Sequence, residues 1–250
     1  MSQEPDERIV QESLAFYGQT LDWLEAHHAD YAVKAELDLG ADERLNAVWK
    51  LSGQSLSLSR TLLALLADGY TSQAWPVMRA IHEANRLLGA VADSEEEQIV
   101  RRWLADQQVK QSEVRAAEQR EADRISKQMQ EAGLEPLAHH VEELSRVIYR
   151  RMSKAAHHQR SVVDEAVDAE ARTMIYGPDP RGERRLEFAV FAGSLLQEVL
   201  IKVGDALSLL WGPPFYRDHL TPMLERYQKM MDALEIIETA RRLGLAGGEQ

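Results

Sequence analysis

Apolar positions recur at helical spacing along most of the chain. Ile9, Leu14, Tyr17, Leu21 and Leu24 fall on one stripe, which predicts a helix over residues 5–29. A second helix is expected from about Asp42 to Ala67, closed by the DGY turn at 68–70. Thr71 or Ser72 supplies the cap of a third, which runs to about Ala92 and tolerates Pro76 in its opening turns. DSEEE at 93–97 starts a long polar helix to about Ala132, ended by Gly133, and a further helix continues from near Glu135 to about Gln159. From Ser161 to Arg185 the period dissolves. TMIYGPDPRGERR has two prolines and two glycines in thirteen residues and reads as a loop. A core helix at 184–212, stopped by GPPF, and a last helix over 216–243 complete the pattern. No run alternates as a strand does. The expected fold is all-α: a bundle of about seven helices in a single domain spanning 1–250. Residues 93–132 form an exposed arm or one side of an intermolecular contact, and 161–185 an irregular connection.

Composition adds limits. The 250 residues are ample for a core, and 44% hydrophobic with 28% charged residues is ordinary globular usage. With no cysteine, disulfides and thiolate metal sites are excluded, and a reducing cytoplasm is the expected location. MSQEPDERIVQES is acidic and lacks the apolar run of a signal peptide. The longest apolar stretch, within 186–211, carries Glu187, Glu198, Lys202 and Asp205. That charge density excludes a membrane span and points to a core helix with one wet side.

Net charge is −12, which repels nucleic acid non-specifically, but it is unevenly spread. Residues 1–43 hold eleven acids against Arg8 and Lys34, whereas 144–160 hold Arg146, Arg150, Arg151, Lys154 and Arg160 with no acid. Within that window lies YRRMSKAAHHQR, residues 149–160. On a helical wheel Tyr149, Arg150, Ser153 and His157 share an arc of roughly 100°, with Arg146 and Arg160 beside them. Val141, Leu144, Ile148, Met152 and Ala155 form a separate apolar stripe. One reading is a solvated basic face. The other is chemical: a histidine takes a proton near neutral pH and an arginine grips a phosphate with two prongs. Together they suffice for metal-free RNA cleavage, in which a 2′-hydroxyl attacks the adjacent phosphate, one group acts as base and a cation stabilises the developing charge.

An arginine followed four to six residues later by a histidine, late in a helical bundle, resembles the motif of HEPN domains. These are helical ribonucleases and toxins of bacterial conflict systems that dimerise with their motifs facing. Here RRMSKAAH offers Arg150 six residues before His157, or Arg151 five before it. The resemblance implies a homodimeric, metal-independent endoribonuclease without a cofactor, with His157 as base, Arg150 or Arg151 as the phosphate cation, and Tyr149 and Ser153 as supporting donors. The chain also resembles uncharacterised bacterial helical proteins that pair an Arg-x-x-x-Glu helix with a later Tyr-x-x-x-Ser-x-x-x-His helix. Here these are Arg79 to Glu83 and Tyr149 to His157. On the wheel Arg79, Glu83 and Arg86 share a face with Trp75 and His82, opposite Val77, Ile81, Ala84 and Leu88. If the two faces meet, Glu83 orients His157 or neutralises the arginines; if not, Arg79 and Glu83 are a surface ion pair.

Other chemistry is thin. Glu25 and His28 have the spacing of a di-iron ligand pair, but no second Glu-x-x-His exists, so no metal is expected. No glycine-rich phosphate loop and no Gly-x-Ser-x-Gly elbow is present. The expected partners are RNA or a nucleotide phosphate, a second copy of the chain, or a protein docking on 93–132, with no membrane. The alternative to the ribonuclease is a non-catalytic helical module for protein interaction or nucleotide sensing.

Overall fold

The computed structural model describes residues 4–34, 42–92, 97–110, 112–117, 119–120, 123, 127, 167–168, 173–174, 177–179 and 181–242. Seven helices are bounded among the described residues: α1 (Glu4–Lys34), α2 (Glu43–Ala67), α3 (Thr71–Ala92), α4 (Glu97–Leu104), α5 (Gly182–Trp211), the single turn α6 (Pro213–Phe215) and α7 (Thr221–Arg242). Two-residue strands, β1 (Val167–Asp168) and β2 (Thr173–Met174), pair antiparallel inside the connection expected to be irregular. The architecture is otherwise all-helical, and no described helix is long and apolar enough to cross a membrane.

Capping chemistry sets the boundaries that the sequence announces. The Asp42 carboxylate accepts from the Leu45 N–H at 2.9 Å and opens α2. Gly69, with φ +81°, closes it: the Tyr70 N–H reaches the Leu65 carbonyl at 2.7 Å and the Gly69 N–H that of Leu66 at 3.0 Å. At the far end of α3, the Arg44 guanidinium of α2 donates to the Val91 and Ala92 carbonyls.

The expected polar helix over 93–132 is interrupted. Beyond α4, Asp106 takes the left-handed conformation (φ +54°) and the Gln107 N–H turns back to the Arg102 carbonyl at 2.8 Å. This is the same closure that glycine gives α2, made here by an aspartate, which tolerates that backbone region. The helix expected over 216–243 is also broken, by a π-helical stretch at Tyr216–Leu220. Pro222 explains it, since it lacks an N–H and its ring crowds the carbonyl four residues back, that of Asp218. The Thr221 N–H and hydroxyl both reach the Tyr216 carbonyl instead.

The long helix α5 is central, touching α1, α2, α3, α6 and α7. Toward α1 and α7 it presents Gly193, where a Cβ would overlap the Tyr17 hydroxyl and the Met231 sulfur. The missing side chain admits a stacked pair, Tyr17 and Tyr227, with centroids 5.9 Å apart. Their hydroxyls donate to the Ala189 carbonyl at 2.9 Å and the Gly193 carbonyl at 2.8 Å. Gly204 makes similar room for Leu220. Toward α2 and α3 the expectation of a wet side fails. Glu198 is 6% exposed and Asp205 1%, and both lie in the core.

Candidate functional site

Tyr149, Arg150, Arg151, Ser153 and His157 lie outside the described residues. Arg79 and Glu83 lie within them, on α3. The Arg79 Nε donates to the Glu83 carboxylate at 2.7 Å, with side chains 36% and 55% exposed, so the two form an i,i+4 pair facing solvent. Trp75, one turn earlier, is buried edge-on against Phe188 of α5 at 4.9 Å between centroids.

His82 does not share the Arg79 face as the wheel suggested. Its side chain enters the seam between α3 and α5, where its Nδ1–H donates to Glu198 Oε2 at 3.1 Å. Glu198 Oε1 also lies 3.5 Å from the Asn85 side-chain nitrogen, and the Ser55 hydroxyl of α2 donates to the Asn85 oxygen at 2.6 Å. Ser55, Asn85, His82 and Glu198 are all buried, so one polar chain ties three helices together inside the core. α2 contributes small, uncharged groups here: Ser52, Ser55 and Ser59 line its buried face. Burial pushes the Glu198 carboxyl upward, but the charge and hydrogen bond of His82, with Lys202 and Asn85, outweigh it and hold the group below the ordinary carboxylate value. Chemically, this is a carboxylate fixing the orientation of an imidazole through Nδ1.

A second polar cluster secures the start of α5. The Asp179 carboxylate receives the Arg181 Nε and Nη2, at 2.8 and 2.7 Å, and the Thr71 hydroxyl at 3.3 Å. The Asp179 N–H donates to the Gly69 carbonyl at 2.8 Å, locking the chain onto the α2–α3 corner. Burial alone would raise the Asp179 carboxyl, and the Arg181 contacts lower it overall.

The Glu25–His28 spacing brings no shared site. Glu25 receives Arg60 at 2.7 Å, while the His28 ring stacks on Trp49 with its Nε2 2.8 Å from the Trp49 carbonyl oxygen. Among the described residues no group of three or more His, Asp or Glu is arranged to hold a metal ion.

The residues that sequence reasoning missed are His82, Asn85 and Glu198. The available signal was the charge inside an apolar run: a glutamate in the middle of a core helix needs a buried partner. In comparison with family models, curated proteins and solved structures, the chain matches none.

Proposed function

We propose that the chain is a metal-independent endoribonuclease of the HEPN type, a toxin-like protein of bacterial conflict systems acting as a homodimer in the cytoplasm. The observation that carries this reading is the 144–160 window, five cations and two histidines without an acid in a chain of net charge −12. In this assignment His157 takes the 2′-hydroxyl proton, Arg150 or Arg151 holds the phosphate, and Tyr149 and Ser153 donate hydrogen bonds. The solvent-facing Arg79–Glu83 pair supplies the supporting charge: its guanidinium is accessible to a phosphate and its carboxylate to an imidazole.

The test is cleavage of total RNA in EDTA by the protein and by its His157→Ala variant. Fragments with 2′,3′-cyclic phosphate ends from the first and none from the second are expected. Intact RNA with both proteins overturns the ribonuclease. If the protein then retains a labelled nucleotide on the filter, a phosphate-sensing module takes its place; if not, a protein-interaction module does.

A further inference from the structure

We propose that His27 and His219 form a two-imidazole site for a divalent transition-metal ion, with water completing the coordination. The site is separate from the basic window and takes no part in RNA cleavage, whose test is run in EDTA. His27 stands on α1 and His219 in the π-helical stretch, and the fold brings their rings to 5.8 Å between centroids. Two imidazoles that share one ion, each bonded at about 2.0–2.1 Å, set their ring centres roughly 4.5–6.4 Å apart, depending on the angle at the metal. The observed separation falls inside that span, so ligation asks for rotation of the exposed His219 side chain and for no movement of the backbone.

The surroundings orient the first ring for this role. His27 Nδ1 lies 2.8 Å from the Trp23 carbonyl oxygen, which can only accept, so Nδ1 carries the hydrogen and Nε2 is left to present a lone pair. An imidazole fixed through its other nitrogen in this way is the usual arrangement of a metal-bound histidine. Trp23 at 4.5 Å and Phe215 at 5.3 Å between centroids pack against the His27 ring. Phe215, which is buried, also meets the His219 ring at 5.6 Å, so one aromatic side chain supports both imidazoles. The neighbours in sequence are engaged elsewhere. The His28 ring stacks on Trp49, and the Asp218 carboxylate accepts from Arg217 at 2.6 and 2.9 Å. Two imidazole nitrogens are a ligand set for zinc, copper or nickel, whereas magnesium and calcium require oxygen.

The experiment is a zinc titration of the full-length protein labelled with nitrogen-15 in its histidines, read by nuclear magnetic resonance of the ring nitrogens. His27→Gln and His219→Gln assign the two rings, and the remaining histidines serve as internal reference. The expected result is that His27 Nε2 and one His219 nitrogen move to the coordinated range at the same zinc concentration, while His27 Nδ1 keeps its hydrogen. Either substitution should raise the zinc needed by the remaining ring about 100-fold, since the second bond is then no longer made within one molecule. Magnesium in excess should leave both rings unchanged. The proposal is overturned if only one ring responds, if neither does, or if the remaining ring of a variant responds at the wild-type zinc concentration. Should His27→Gln fail to fold, His219→Gln, at an exposed position, decides alone.

Discussion

The two faces of α5 solve the same packing problem with different chemistry. Toward α1 and α7, a glycine lets two tyrosines stack, and their hydroxyls end on main-chain carbonyls of α5. Toward α2 and α3, a carboxylate and an imidazole meet in the core with an amide and a hydroxyl behind them. The tyrosine contact joins neutral groups. Burial drives the Tyr17 and Tyr227 hydroxyls to titrate far above their ordinary range, so that contact carries no charge at any physiological pH. The second joins ionisable groups: the Glu198 carboxylate is held below its ordinary value, against burial, by His82, Lys202 and Asn85. Steric fit governs the first contact and polar complementarity the second.

The contrast is sharpest in substitutions. Glu198→Ala removes one partner of a buried pair and should cost about 3–5 kcal/mol in urea unfolding at pH 7. Its pH dependence carries a sign. Glu198 titrates below the ordinary 4.5 in the folded chain, so its contribution is complete above that value and disappears as pH falls through the lower folded one. The gap between wild type and variant should accordingly narrow in acid; a constant gap would mean that the loss is packing and not charge. Gly193→Ala forces a Cβ into the Tyr17 hydroxyl and should cost about 1–3 kcal/mol, by the same amount at pH 5 and pH 8. A pH-dependent cost there would erase the distinction between the faces. Smallest is Arg79→Ala, whose partner is half in water: roughly 0.5 kcal/mol or less, and less still in 1 M salt.

How far the sequence speaks differs along the chain for physical reasons. The boundaries of α2 were legible because Asp42 and Gly69 are residues whose local chemistry starts or stops a helix, whereas the Thr71 hydroxyl, expected as a cap for α3, donates instead to Asp179. The end of α4 was not, because an aspartate stands at the left-handed position that glycine usually marks. The expected helix over 216–243 carried Pro222 inside it, and a proline in that place disturbs the regular turn. For the site, a helical wheel gives an angle from the apolar stripe and no more. α3 is packed by α2, α4 and α5, so its buried arc is wider than its apolar arc and takes in Trp75 and His82. Glu198 was read as facing water because its partner is 116 residues away, a separation that no local period records. The basic window at 149–157 was legible as composition, and its residues lie outside those the structure describes.

The Tyr17–Ala189 contact has a consequence during synthesis. The hydroxyl and the carbonyl that receives it are 172 residues apart in the chain. At about 5–20 residues per second, α1 waits roughly 10–35 s on the ribosome before α5 emerges to cover it. Throughout that interval Val10, Leu14, Tyr17, Leu21 and Leu24, all buried at the end, form an apolar ridge without its final neighbour. The acids that crowd residues 1–43 flank that ridge, and nascent chains bearing them repel one another while the ridge waits.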